Sequence, residues 1–376
     1  MVTNKEVVVF SPLFNKLPIS GYGATERLTL ERAKWLKKVG YRVQLIANSD
    51  DASVLKSVDE LISPGRLFKF PNTLLKTGLS FIDLKWYSYS HSFVRIKDKL
   101  WNAPILSDAG TIDPFSNYFL AKQLGINRLV SFLHGNFYLT NGHGNTFFKL
   151  VDKYFKFSYK VQYAALNTRL FELMTKNNFR VVYMPNGLDF PELSEIEDSP
   201  ENYLIFVGVV TRNKAPHIAI MLSLKLGIKL KIVGPIRDNQ YFVDEIKPFL
   251  SEQIKYYGEV ERTDLNILLK RSMCLIFSST WNDPQPTVVL EANSYGVPVL
   301  AINSGVYSGI YDMIENGKTG YVGTLDELLA HANEVFSLDR KNIYRTAKCN
   351  WHWPVILRKF HIPILEELQI GMERTA

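Results

Sequence analysis

A chain of 376 residues, 46% of them hydrophobic and 22% charged, is too long for one ordinary core and too balanced for a disordered or fibrous protein, so two globular domains are expected. No run reaches the roughly 18 apolar residues of a membrane span, and the start MVTNKEVVVFSP has no small-residue cleavage site and reads as a first strand. Two cysteines, Cys274 and Cys349, exclude a disulfide framework. Cys274, in the run MCLIF, reads as a buried inert thiol, and the cytoplasm is the expected compartment. The net charge of +7 is unevenly held: residues 1–190 carry 25 Lys and Arg against 14 Asp and Glu, and residues 191–376 carry 19 against 23. Two units with different partners are implied.

In chain order, VVVFSP (7–12) is a β-branched run stopped by Pro, a buried strand. The loop LFNKLPISGYGA follows. TERLTLERAKWLKKVG then repeats apolar residues at Leu28, Leu30, Ala33, Trp35, Leu36 and Val39. This is a helical spacing, with Thr25 as expected N-cap and Gly40 past the end. YRVQLIAN (41–48) is the next strand, completing a βαβ unit and predicting a parallel sheet. The pattern recurs in PILSD (104–108), a helix over 114–124, RLVSFLH (128–134), YAALN (163–167) and VVYMPNG (181–187). The first domain is expected over 1–188, followed by an acidic, Pro-bearing linker (189–201).

The second domain, expected over 189–354, opens at NYLIFVG (202–208). It continues through a helix over 216–227, strand KLKIVG (229–234), a helix over 240–250, strand IKYYGEV (254–260) and a helix over 263–271. Strand CLIFSS (274–279), a helix over 287–296 and strand PVLAIN (298–303) follow. The tail NWHWPVILRKFHIPILEELQ is apolar and reads as helical after Pro354, with Trp351 and Trp353 as packing anchors.

In doubly wound sheets ligands bind beyond the carboxyl ends of the strands. The residues there are Gly21 and Gly23, Asp108, His134, Asn186, the stretch Gly208–Lys214, Gly234 and the region of Asp283. GYGATER has Glu26 where a dinucleotide fingerprint needs its third Gly, which argues against that motif. It is either a loop that approaches a ligand closely or one simply closed by a helix. Arg212 and Lys214 precede a helix opened by Pro216, a diphosphate site in outline or a pair of solvated charges. His134 is either a histidine satisfied by backbone or one facing a crevice. In TWNDPQPTVVLEANSYGVPVL, Pro284 and Pro286 hold Asp283 in extended geometry and Thr287 starts a helix that carries Glu291. Two such carboxylates suit the vicinal hydroxyls of a polyol, or are a helix-start acid and a solvated Glu.

The ordered set resembles the family-4 retaining glycosyltransferases of the GT-B fold, which use nucleotide-sugar donors. The family pattern E-P-F-G-x-x-x-x-E-A followed by G-x-P-V reads DPQPTVVLEANSYGVPV here, and V-G-R-x-x-x-x-K-G reads VGVVTRNKAP. IKYYGEV, ENGKTGYV, the Gly-rich loop, LHG and VYMPNGLD also fall in family order. The resemblance implies an α/β GT-B architecture: two Rossmann-like doubly wound domains facing an interdomain cleft, with a C-terminal helix (about 355–376) packed back on the first. It implies transfer of a hexose, with retention, from a UDP- or GDP-sugar to a glycan, glycolipid or glycoprotein. The implied roles place Glu291 on the ribose, Asp283 on the donor sugar, Lys214 on the diphosphate and His134 beside the sugar. Gly21, Gly23, Gly234, Thr287 and Val288 fall on the donor side, Asp108 and Asn186 on the acceptor side. No metal or other cofactor is expected, since Lys214, helix dipoles and Arg212 supply positive charge to the leaving group.

The chain departs from the family at three places. Val209 stands where the family has Arg, so Arg212 is the expected replacement. Gln285-Pro286 stands for Phe-Gly, removing a backbone donor that the Thr287 and Val288 amides would replace. Asp283 is one methylene shorter than Glu. These departures leave a binding-only member of the fold as the alternative; an NAD-type Rossmann enzyme is disfavoured by the broken Gly fingerprint. Residues 66–101 hold seven Lys and Arg and two Asp among Phe81, Trp86, Tyr87, Phe93 and Trp101. That composition suits an anionic membrane surface, an acceptor groove or an amphipathic helix packed on the core, and no nucleic-acid motif accompanies it.

Overall fold

The computed structural model describes residues 5–13, 15–19, 23–64, 96–108, 122, 126–134, 161–197, 199–303 and 305–373. The chain divides into two compact units, Met1–Gly187 with Trp353–Ala376, and Leu188–His352. The expected boundaries, 188/189 and 354/355, lie beside these. Gly21, most of 66–101 and the expected helix over 114–124, Lys122 apart, lie outside the described residues.

The first unit is built on strands β1 (Glu6–Phe10), β2 (Arg42–Ile46), β3 (Glu60–Ile62), β4 (Ile105–Ser107), β5 (Leu129–Phe132), β6 (Gln162–Ala165) and β7 (Val181–Tyr183). They form one parallel sheet in the order β3-β2-β1-β4-β5-β6-β7. Runs such as VVVF are buried on both faces, as a parallel sheet covered by helices requires. The order reverses between β1 and β4, which makes their carboxyl ends the expected place for chemistry. Helix α1 (Ala24–Lys38) turns Leu28, Ala33 and Leu36 into the core, and with them Thr29 and Arg32. Its N-cap is Gly23 and not Thr25. Thr25 already lies in the first turn, where its carbonyl sits 2.8 Å from the Thr29 hydroxyl. Helix α2 (Thr168–Lys176) is capped by the Asn167 side chain, which accepts from Leu170 N at 2.8 Å.

The second unit carries β8 (Tyr203–Val207), β9 (Lys229–Val233), β10 (Ile254–Gly258), β11 (Cys274–Phe277), β12 (Val299–Ile302) and β13 (Gly320–Gly323). These too are parallel, in the order β10-β9-β8-β11-β12-β13, with the reversal between β8 and β11. The helices are α3 (Pro216–Leu226), α4 (Arg262–Arg271), α5 (Thr287–Ser294), α6 (Leu325–Phe336) and α7 (Arg340–Trp351). Leu204, Phe206, Ile232, Ile254, Cys274 and Leu300 are buried together in the core, and burial pushes the Cys274 thiol up, far from reactivity.

The expected regular helix over 240–250 is broken into a short turn (Asn239–Tyr241), a π turn (Phe242–Ile246) and a 3-10 turn (Lys247–Phe249). Pro248 is the reason, because it has no N–H to continue the ladder and frees a carbonyl one turn back. The tail repeats the device. Trp353–Ile356 is helical, Leu357–His361 is a π turn, and α8 (Ile362–Glu373) follows with Pro363 in its first turn. This tail belongs to the first unit, where Trp353 and His361 are wholly buried. Among the described residues no helix is long and apolar enough to cross a membrane.

Candidate functional site

In the second unit the ends of β8 and β9 come unusually close. Gly234, at φ +138°, leaves no room for a side chain: a Cβ there would lie 2.0 Å from the Gly208 carbonyl oxygen. Gly234 N donates to Gly258 O at 2.8 Å, so three strand ends are tied at one point. The chain then turns through Thr211, whose carbonyl accepts from Ala215 N at 3.0 Å. Ala215 takes the left-handed conformation (φ 51°, ψ 49°) just before Pro216 opens α3. An alanine there costs about 1 kcal/mol relative to glycine, the residue of the family pattern.

The segment after β11 lies against this turn. Thr280 N donates to Asn213 O at 2.8 Å and Ser278 Oγ to Lys214 O at 3.2 Å. As a result Lys214 Nζ bonds both Asp283 oxygens, at 2.6 and 2.7 Å, and Ser279 Oγ donates to Asp283 Oδ2 at 2.8 Å. Asp283 is fixed from behind as well. Gly309 N donates to its carbonyl at 2.8 Å, and the Gly309 Cα packs so near Pro284 that a Cβ would lie 2.3 Å from its oxygen.

Pro286 caps α5 without a side-chain acceptor, so the first-turn amides of Thr287 and Val288 form the uncapped positive end of that helix. Glu291 lies in the next turn, its side chain 5% exposed, and accepts from Arg262 Nη1 at 2.9 Å. Arg212 is drawn elsewhere: it pairs with Glu245 at 2.6 Å and lies over the Tyr241 ring. Beside it His217 Nδ1 is 2.6 Å from the Tyr241 hydroxyl, and burial, aided by the Arg212 charge, holds that imidazole below its ordinary pKa.

The first unit has its own polar cluster at its reversal point. Asp108, directly after β4, and Asn186, after β7, the residues expected on the acceptor side, are both buried. They are joined by Arg32 of α1, which is also wholly buried. Arg32 Nη1 donates to Asp108 Oδ2 at 2.5 Å and Nη2 donates to Asn186 Oδ1. The Arg32 guanidinium lies 3.8 Å from the centre of the Phe132 ring. The Thr29 hydroxyl is shared with Asp108 Oδ2 at 2.8 Å, and His134 Nε2 lies 2.5 Å from Oδ1. Burial alone would raise the Asp108 pKa; the Arg32 charge and the bonds from His134 and Thr29 outweigh it and hold the carboxyl below its ordinary value. His361, behind the cluster, donates from Nε2 to Pro185 O at 2.8 Å. Burial, with Arg32 nearby, lowers its pKa to about 3. Gly23 caps α1 against Ile19, and Gly21 lies outside the described residues.

Residues 190–344 match the family model described as glycosyl transferases group 1. The match falls within the second unit and takes in Lys214, Asp283 and Glu291. Over 141 residues the chain is 26% identical to spore coat protein SA of Bacillus subtilis strain 168, a match that takes in 34% of this chain and spans 37% of that protein. Solved structures agree over nearly the whole length. Sucrose-phosphate synthase from Thermosynechococcus elongatus is similar with a TM-score of 0.71 at 13% identity, covering 98% of this chain and 99% of that one. Anabaena HepE in complex with UDP-glucose is similar at 0.64 and 15%, covering 96% and 99%. A glycosyltransferase involved in avilamycin A biosynthesis is similar at 0.66 and 16%, covering 97% and 98%. The fold of the chain is GT-B, α/β in both units.

Within the second unit the structure thus joins Lys214 to Asp283 and Ser279, and Glu291 to Arg262. Sequence reasoning missed Ser279, Arg262 and Arg32. Arg32 had a signal: it sits at helical spacing between Leu28 and Leu36, a charge on an apolar stripe. Arg262 and Ser279 had none, since what marks them is a partner brought up by the fold. Among the described residues no group of three His, Cys, Asp or Glu is placed to hold a metal ion.

Proposed function

We propose that the protein is a retaining hexosyltransferase that takes a UDP- or GDP-linked sugar and passes the sugar to a glycan, glycolipid or glycoprotein. The observation that supports it most is the Lys214–Asp283–Ser279 cluster at the reversal point of the second sheet, with the Glu291 carboxylate on the helix that follows. In this reading Glu291 accepts hydrogen bonds from the ribose hydroxyls and Asp283 from the donor sugar. An ammonium has three N–H donors. Asp283 takes two from Lys214, and the third serves the diphosphate, whose charge grows as the sugar leaves. The amides of Thr287 and Val288 add the positive end of α5. Gly208 and Gly234 keep the strand ends bare so that backbone can approach the phosphates. His134 carries the sugar-side role that the resemblance implies. The reading calls for no metal ion and assigns no protein nucleophile, the new bond forming on the face the diphosphate leaves.

Calorimetric titration of UDP, GDP and NAD into the wild type and Glu291→Ala tests this. One nucleoside diphosphate should bind, and Glu291→Ala should weaken it at least about tenfold. Failure of both diphosphates to bind, or an unaffected variant, would overturn the reading. In the same titration Arg212→Ala should change affinity by less than about threefold, because a solvated arginine already paired with Glu245 has little left to lose. A tenfold loss would instead restore Arg212 as the partner of Lys214.

Residues 66–101 enter the proposal through composition, as the segment that meets an anionic membrane surface. The protein should cosediment with anionic liposomes at low salt and be released at high salt. Retention in the supernatant at low salt would remove that part of the proposal.

A further inference from the structure

We infer that Asp108 is a positioning residue: pinned by Arg32 and Thr29, it holds His134 as the Nε2–H tautomer, so that the ring offers Nδ1 as an acceptor to a ligand hydroxyl. The inference rests on the reading of His134 as a sugar-side residue. Its grounds are geometric. An ionised carboxylate only accepts, so the 2.5 Å contact between Asp108 Oδ1 and His134 Nε2 requires the proton to sit on Nε2. A neutral imidazole then has its lone pair on Nδ1 and can take an O–H from a sugar, while it has no proton there to give.

The carboxylate cannot swing away from this duty. Its other oxygen is taken by Arg32 Nη1 and the Thr29 hydroxyl. Arg32 is itself immobilised by the Phe132 ring on one face and by Asn186 at its second nitrogen. Thr29 and Arg32 from α1 and His134 after β5 therefore converge on Asp108, with Asn186 after β7 bracing Arg32. An ion pair serving packing alone would be complete with Arg32 and Thr29. The remaining oxygen points instead at the ring of His134, whose side chain keeps 8% of its surface exposed while that of Asp108 has none.

The test is nitrogen-15 NMR of the imidazoles in the labelled full-length protein, with His134 assigned by substitution. The wild type should show a protonated Nε2 and a bare Nδ1. Adding UDP-glucose or GDP-mannose, whichever binds, should move the Nδ1 resonance. In Asp108→Asn the new amide donates to Nε2, so the tautomer should reverse, and turnover should fall about hundredfold or more with KM little changed. Thr29→Val, which leaves the Arg32 pair in place, should keep the wild-type tautomer. A protonated Nδ1 in the wild type, or an unaltered tautomer in Asp108→Asn, would overturn the inference. Where Asp108→Asn does not fold, the wild-type spectrum decides by itself. Correct tautomers in a protein that binds neither donor would sink the donor reading and leave the hold of Asp108 on the ring standing.

Discussion

Lys214→Met should lower turnover of the donor about 10²- to 10³-fold, the largest loss expected of any single exchange in the second unit. Two effects combine. The departing diphosphate loses a fixed cation at the moment its charge grows. Asp283, only 14% exposed, also loses the partner that meets both its oxygens. The second effect should appear as lost stability of about 1–3 kcal/mol, because a largely covered carboxylate is left with Ser279 alone. The double variant Lys214→Met with Asp283→Asn separates the two. Removing the stranded charge should restore most of the melting temperature, while turnover stays low. Lys214→Arg should recover little activity, since a planar guanidinium would spend its fork on the two Asp283 oxygens and cannot turn a third donor from the same nitrogen to the diphosphate as an ammonium can. Initial rates and thermal melts of these four proteins suffice. Recovery of turnover in the double variant would show that Lys214 matters only for holding Asp283.

His361→Gln should flatten the acid sensitivity of the first unit. The folded pKa of His361, about 3, lies below its ordinary value of 6.5, so between those values the unfolded chain binds a proton that the folded one refuses. Stability therefore falls as pH drops through this window, by about 1.4 kcal/mol per pH unit from this group. Glutamine stays neutral and can still donate to the Pro185 carbonyl. Asp108 acts in a separate range. Its folded pKa is depressed, so its contribution is fully present above its ordinary value of 3.8 and is lost only below it. Urea unfolding at pH 6.5, 5.5 and 4.5 should give parallel lines for the two proteins if His361 is not the cause. The expected result is a gap that widens by about 2 kcal/mol across that range in favour of the variant, the slope being half its full value at pH 6.5.

Much of the architecture was legible because parallel strands buried on both faces are apolar runs punctuated by Gly and Pro. VVVF, YLIFV and CLIF are such runs, each short and β-branched or aromatic enough to favour a strand over a helix. Two strands were not legible: Glu60–Ile62 opens on a charge and offers only two apolar residues, and Gly320–Gly323 has half its positions as glycine. Helix α6 carried a signal that went unread, the capping box of Thr324 and Glu327 in TLDE. The break at Phe242–Ile246 was announced by Pro248 but masked by the helical period around it. For the site, motif spacing located Lys214, Asp283 and Glu291 and could not say what holds them. Arg32 and Asp108 are 76 residues apart and Lys214 and Asp283 are 69 apart. Such pairings are set by strand order, which local pattern does not encode.

The second unit begins and ends at one point. Leu188 and His352 form a bridge, Leu188 N donates to Trp351 O at 2.9 Å, and on the other side of both crossings Gly187 packs on Trp353. A ribosome therefore delivers this protein out of order. When residue 187 has been made, the first unit still lacks Trp353 and His361, two of its wholly buried side chains. The second unit, made later, is finished first, and the opening half of the chain must wait with an unfilled core until the last turns of the tail emerge.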